Sequence, residues 1–231
     1  MYKNVIGLIM AGGQSKRMES NIPKSLMKLN NKPIIWYSFK LLDEIGITEQ
    51  IVSIPKNKDE LYIQAINKIR PNIKCVADCV PQKGNAAGLA SALPILNIEH
   101  DIIIVIHPDS SCLIKPDIIK AAINEYIKND LLVSFGIKES GLIKAQQAKN
   151  NPEFEPETTG ISILNKKWLK EKLNLLPIDT KSQEWRIEYL FEIINKESPH
   201  KLSLFIIPNQ DYININTQSD LKIAELMLKK Q

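Results

Sequence analysis

Three stretches of this chain are apolar with no break in phase: NVIGLIM over 4–10, QIVSI over 50–54 and DIIIVIH over 101–107. Side chains of a strand alternate between faces, so a strand with one wet face alternates apolar and polar residues. Runs without that alternation need both faces covered, which is the condition of parallel strands sandwiched between helices. The intervening stretches supply the helices, with helical period over 33–44, 58–69 and 84–96. Pro33 suits the first turn of its helix, where its missing N–H costs nothing. With a short strand at 73–77, the first half reads β-α-β-α-β-α-β. A helix over 116–127 follows, then strands at 131–137, 161–164 and 202–207 and helices at 166–173 and 183–195. Thr217 caps a last helix over 218–229. Residues 138–159 carry no clear period. The expected fold class is α/β: three αβα layers around a mostly parallel, Rossmann-like central sheet that the second half extends.

The bulk properties set bounds on this picture. One domain over 1–231 is the expectation at this length. Hydrophobic residues at 44% and charged residues at 24% argue against long disorder. The net charge of +4 comes without any dense Lys/Arg cluster, so no nucleic-acid partner is indicated. Cys75, Cys79 and Cys112 are odd in number and lack a second Cys/His pair. That argues against a disulfide framework and against a tetrahedral zinc site. The first apolar run is too short for a membrane span and no signal peptide opens the chain, so a cytoplasmic protein without a membrane partner is expected.

The chemistry concentrates just after the first strand, in MAGGQSKRMESNIPKSL over 10–26. Open α/β sheets bind ligands at the carboxyl ends of their strands. Ala11, Gly12 and Gly13 leave backbone N–H groups free to approach an anion, and Ser15 adds a hydroxyl donor. Arg17 offers a planar fork suited to phosphate oxygens, and Lys24 a compact cation. Short-range neutral donors with two cations suit a phosphate chain. Neither the Walker A pattern nor G-x-G-x-x-G is present.

Through Ala11, Gly12, Gly13, Arg17, Met18, Pro23, Lys24 and Leu26, this loop resembles the opening motif of nucleotidyltransferases with a glycosyltransferase-A-like fold, A-G-G-x-x-x-R-M then P-K-x-L. That superfamily includes sugar-1-phosphate nucleotidyltransferases, methylerythritol-phosphate cytidylyltransferases and molybdenum-cofactor guanylyltransferases. The resemblance continues through Leu29, Lys32, Pro33 and Ile34; Ser15 stands where many members carry a third glycine. It implies a nucleotide-binding part over about 1–115 and an acceptor-binding part over about 116–231. Arg17 would hold the leaving phosphates and Lys24 the charge developing at the α-phosphate.

Later segments follow the same order. QKGNAAGLASAL over 82–93 resembles the base-contacting region, implying nucleotide contacts from Lys83, Gly84, Asn85 and Gly88. Tight helix packing on the sheet is the alternative for its small residues. IHPDSS over 106–111 places Asp109 where the family binds its metal; the cytidylyltransferase pattern would put that aspartate directly after His107. His107 either lines the site or packs behind it. TTGI over 158–161 stands in place of a sugar-contact segment, implying Thr159 and Gly160 on the acceptor side. In YININTQSDLKIAE over 212–225 the resemblance implies Asn214 as second metal contact, with Asn216 the weaker choice. Asp220 reads as a carboxylate in the first turn of the last helix.

The implied activity is transfer of a nucleoside monophosphate from GTP or CTP to a phosphorylated small molecule, with Mg²⁺ as cofactor, pyrophosphate as the leaving group and a homodimer as the assembly. IHPDSS and LVSFGIK favour a sugar 1-phosphate acceptor. Methylerythritol-phosphate-like cytidylyl transfer and molybdenum-cofactor guanylyl transfer are the alternatives. A nucleotide-binding regulatory module without turnover is the reading from another class.

Overall fold

The computed structural model describes residues 2–12, 18, 20, 22–80, 84–150 and 157–230. In chain order the elements begin with β1 (Val5–Met10), the short β2 (Lys28–Leu29) and β3 (Lys32–Pro33), and α1 (Ile34–Glu44). Then come β4 (Gln50–Ile54), α2 (Asp59–Ile69), β5 (Lys74–Ala77), α3 (Asn85–Ala92) and β6 (Ile102–Ile106). The second half holds α4 (Pro116–Lys128), β7 (Val133–Lys138), α5 (Leu142–Asn150), β8 (Thr158–Asn165) and α6 (Lys166–Lys172). The last three are α7 (Leu190–Glu197), β9 (Leu202–Ile207) and α8 (Gln218–Leu228).

Seven strands form one sheet in the order β5-β4-β1-β6-β8-β7-β9. All neighbours run parallel except β8, which is antiparallel to both β6 and β7. The chain therefore leaves β1 toward β4 and β5 on one side, then crosses to β6 on the other. Such a reversal opens a crevice between adjacent carboxyl ends, where α/β sheets bind ligands. Here the crevice lies between the loops after β1 and β6.

The unbroken apolar runs have the expected cause. Val5 and Ile9 of β1 pack with Phe39 and Leu42 of α1, whereas Ile6, Leu8 and Met10 pack with Ala86 and Leu89 of α3. Ile102, Ile104 and Ile106 of β6 join the first layer and Ile103 and Val105 the second. Each fully buried side chain of this kind contributes about 1.5–3 kcal/mol of transfer free energy. A smaller cluster, Met18, Leu29, Ile34, Cys112, Leu113, Ile215 and Ala224, joins the first loop to the last helix.

Three local differences from the sequence pattern have physical causes. The period over 84–96 breaks at Ala92 into a 3₁₀ turn, Leu93–Ile95, because Pro94 has no N–H to continue the helix. The stretch 183–195 does not start as a helix: Trp185 bridges Ile178, a 3₁₀ turn covers Ile187–Tyr189, and α7 begins at Leu190. Tertiary bonds outweigh local propensity there, since the Trp185 indole donates to the Leu176 carbonyl at 3.0 Å. Within 138–159, α5 forms although its sequence has almost no apolar stripe, with Ala145 and Ala148 buried. The β2–β3 hairpin turns on Asn30 and Asn31, with φ of 46° and 64°, the two left-handed positions a tight two-residue hairpin demands. Among the described residues, no helix is long and apolar enough to cross a membrane.

Candidate functional site

The loop after β1 begins with Ala11 and Gly12 at the crevice. Gly13, Ser15, Arg17 and Lys83 lie outside the described residues. The far end of the loop is anchored twice. Met18 is buried in the small cluster beneath the site. Ser25 donates to the Tyr62 hydroxyl at 3.4 Å, and that hydroxyl donates to the Ala11 carbonyl at 2.9 Å. Burial raises the Tyr62 pKa, so the phenol stays a neutral donor to Ala11. Tyr62 thus ties the two ends of the loop together through α2. Lys24 opens a 3₁₀ turn, Lys24–Leu26, immediately after Pro23. Its largely buried ammonium pairs with the Asp109 carboxylate and donates to Asn216 Oδ1 at 3.0 Å.

Asp109 sits in the 3₁₀ turn Pro108–Ser110 that follows β6. Its side chain meets Lys24, which joins the turn after β6 to the first loop. Ser110 donates to Asp109 Oδ1 at 3.2 Å, and the backbone N–H of Ile215 donates to the Asp109 carbonyl at 2.9 Å. That strand-like contact brings Asn216 to Asp109. Asn214 is exposed, and Asn216 is the asparagine whose amide oxygen meets the Lys24–Asp109 pair. Spacing favoured Asn214; in the structure it is Asn216, next to the residue whose N–H bonds to the Asp109 carbonyl, that meets the pair.

Asp220 holds that segment still. Its Oδ2 accepts from the Asn216 N–H at 2.9 Å, the Thr217 N–H at 2.8 Å and the Thr217 hydroxyl at 2.9 Å. Thr217 and Asp220 complete a capping box on α8. Burial opposes ionisation of Asp220, yet these donors and the Lys24 charge leave its pKa below the ordinary value.

Asp109 and Asn216 present one charged and one neutral oxygen converging on a single ammonium group. No group of three or more His, Cys, Asp or Glu side chains among the described residues is placed to hold a metal alone. One carboxylate plus one amide oxygen is the donor set of a Mg²⁺ ion that shares its shell with water and substrate phosphates. The residues present fit that ion.

Beside Gly12 lies Asp78, which the sequence reading missed. It directly follows β5, and its N–H donates to the Ile54 carbonyl at 2.9 Å. Asp78 Oδ2 is 3.1 Å from where a Cβ on Gly12 would stand, and Oδ1 is 3.2 Å from the corresponding point on Gly88. Burial raises the Asp78 pKa, while a hydrogen bond from Ser53 pulls it down. The signal was available: like Asp109, it is a carboxylate just beyond the carboxyl end of a parallel strand.

The start of α3 is built for close approach. Gly84 has φ of +106°, and a Cβ there would lie 2.4 Å from the Trp185 carbonyl oxygen, so only glycine fits. Gly88 faces Ser53 and Met10 at 2.4 and 2.6 Å from a would-be Cβ, which makes it a packing contact of α3 on the sheet as well as a neighbour of Asp78. Asn85 is engaged elsewhere than the crevice. Its Oδ1 accepts from the Ile187 N–H at 2.8 Å and its Nδ2 donates to both oxygens of Glu188 at 3.1 Å. The expected nucleotide contact from the Asn85 side chain is corrected to a clamp between α3 and 185–188, formed because those backbone groups need partners away from water.

Gly160 packs against His107 and Ser110 beside Asp109, whereas Thr159 is buried with its hydroxyl turned to Gly136. The β7–β8 register shifts between Phe135 and Ile137, opposite these residues. The Gly160 carbonyl accepts from the His107 N–H at 2.9 Å, and Gly160 has φ of +73°. Thr159 Oγ1 and His107 Nε2 are buried without a hydrogen-bond partner among the described residues. Nearby Tyr212 has its pKa pushed up to about 12 by burial, against a lowering hydrogen bond with Ser110, with the charges of Asp109 and Glu157 adding to the rise. It therefore serves this rim as a neutral phenol.

Comparison with known proteins agrees with this geometry. A model of the MobA-like NTP transferase domain matches residues 7–142, more than half of the chain. A probable UDP-N-acetylglucosamine pyrophosphorylase of Acanthamoeba polyphaga mimivirus is 27% identical, over 96% of this chain and 95% of its own length. The bifunctional protein GlmU of Campylobacter lari is 25% identical over 96% of this chain, which spans 54% of that relative. A solved UDP-glucose pyrophosphorylase complexed with UDP-glucose shares the fold, with a TM-score of 0.75 and 16% identity, over 97% of this chain and 98% of that one. The loop motif, the crevice at the strand reversal and the match over 7–142 lead to one conclusion: the chain belongs to the MobA-like NTP transferase family and is a nucleotidyltransferase.

Proposed function

We propose that this enzyme transfers a nucleoside monophosphate from a nucleoside triphosphate to a sugar 1-phosphate. The observation that carries this reading is the convergence of Asp109 and Asn216 on the Lys24 ammonium. An acceptor phosphate is ionised at neutral pH and needs no general base. Its oxygen attacks the α-phosphorus, the bond from that phosphorus to the bridging oxygen breaks, and pyrophosphate leaves with the electron pair. Such chemistry depends on positioning and charge neutralisation. Lys24 offsets charge at the α-phosphate, and Arg17 holds the departing phosphates. Mg²⁺ held by Asp109 and Asn216 would supply Lewis-acid stabilisation of the phosphate oxygens. Gly160, packed against His107 and Ser110 beside Asp109, is the backbone position proposed for the acceptor side.

The Asp78 carboxylate supports guanine as the base. It accepts hydrogen bonds, and guanine presents N1–H and N2–H side by side as donors, within reach of the oxygen beside Gly12. Cytosine offers one donor next to an acceptor. Uracil is a second reading, favoured by the names of the mimivirus and Campylobacter relatives, which also favour an N-acetylhexosamine 1-phosphate acceptor. The one-domain organisation of 1–231 and a cytoplasmic setting are part of the same proposal; free Cys75, Cys79 and Cys112 suit a reducing compartment.

Pyrophosphate release tests the proposal, with GTP, UTP, CTP and ATP each offered N-acetylglucosamine, glucose and mannose 1-phosphates and methylerythritol 4-phosphate. Mg²⁺-dependent release with GTP and a sugar 1-phosphate is expected. Release with methylerythritol phosphate alone, or with no sugar phosphate, would overturn the acceptor assignment.

A further inference from the structure

We propose that Ser53 is a positioning residue for base selection, holding the Asp78 carboxylate so that one oxygen is turned to the crevice beside Gly12. This rests on the reading of Asp78 as the base-contacting acid. Ser53 lies near the end of β4 and is 1% exposed. Its hydroxyl donates to Asp78 Oδ1 at 2.8 Å, and its carbonyl accepts from the Ala11 N–H at 2.8 Å. One residue thus links the start of the phosphate loop to the acid across two strands. The Asp78 backbone is already fixed by its bond to Ile54. What remains free is rotation of the carboxylate, and the Ser53 hydroxyl removes it.

The hydroxyl itself has little freedom. A Cβ on Gly88 would lie 2.4 Å from Ser53 Oγ, so α3 closes over it. With Oδ1 engaged by Ser53, Oδ2 is the oxygen near Gly12. The donor also favours the ionised acid against the effect of burial. A carboxylate accepts where a protonated acid donates, so losing Ser53 blurs the pattern that a base edge must match. Its place in the sheet is consistent: a buried hydroxyl in an otherwise apolar stretch needs a partner, and Asp78 is that partner.

The test compares Ser53→Ala, Ser53→Cys and Asp78→Asn with the parent enzyme, measuring kcat and KM for GTP, UTP, CTP and ATP with one acceptor. Ser53→Ala should reduce the preference for the best triphosphate over the next by about tenfold, through KM rather than kcat. Ser53→Cys, a near-isostere with a weak donor, should fall between and carries the comparison if the alanine variant folds poorly. Equal losses toward all four triphosphates, or an intact preference where Asp78→Asn has lost it, would overturn the role of Ser53. An intact preference in Asp78→Asn would instead remove the base-contact reading, and the inference with it.

Discussion

The backbone N–H of Ile215 donates to the carbonyl of Asp109 across 2.9 Å, joining residues more than a hundred positions apart in the chain. Both flanking side chains depend on this bond. Asp109 projects from the turn after β6, and Asn216 follows the buried Ile215 into the same crevice. Lys24, from the first loop, meets both.

Lys24→Ala should lower turnover by about 10²–10³-fold, the usual effect of removing one preorganised charge contact to a reacting phosphate or oxyanion. Pyrophosphate release measures the loss, and circular dichroism should show an unchanged fold. Turnover like the parent's would remove Lys24 from the chemistry.

The two asparagines should separate cleanly. Asn216→Ala should raise the Mg²⁺ concentration needed for half-maximal activity by at least about tenfold. Asn214 is exposed, and Asn214→Ala should change stability by less than about 0.5 kcal/mol and leave the Mg²⁺ response alone. The opposite ranking would restore Asn214 as the metal contact.

Asn85→Ala should act on stability before catalysis. It strips the Ile187 N–H and the Glu188 carboxylate of a partner, a loss of about 1–3 kcal/mol. Urea unfolding measures it. A large rise in KM for the triphosphate at unchanged stability would show that the side chain reads the nucleotide after all.

Asp220 carries a pH signature. Its folded pKa lies below its ordinary 3.8, so the folded state binds this proton more weakly than the unfolded chain. The stabilisation is therefore complete above 3.8 and is lost as pH falls through the lower folded value. Asp220→Asn should cost stability near neutral pH, and the gap to the parent should narrow at about pH 3. Urea melts at both pH values check the sign, and a gap that widens in acid contradicts it.

Much of the fold is legible in one dimension. VIGLIM, QIVSI and IIIVI lack polar alternation because helices cover both faces of their strands, and β4 and β9 begin and end where the apolar runs do. The helix over Leu142–Asn150 is illegible for the complementary reason: with Ala145 and Ala148 as its buried contacts, it leaves no stripe to read. Trp185 and Ile187 read as helix because their periodicity is helical, yet their backbone bonds go to Ala86 and Asn85.

The motif from Ala11 to Lys24 and the acid Asp109 belong to the sequence by itself. Both are local: a loop after a buried strand, with bare backbone and a cation, declares its chemistry through residue type and spacing. The contact of Asn216 with Lys24, the clamp made by Asn85, and the meeting of Asp78 with Ser53 and Gly12 were decided by tertiary structure. Spacing along a chain sets distance but leaves rotation open. It is settled by which distant group takes the hydrogen bond, as with Asp109 and Lys24.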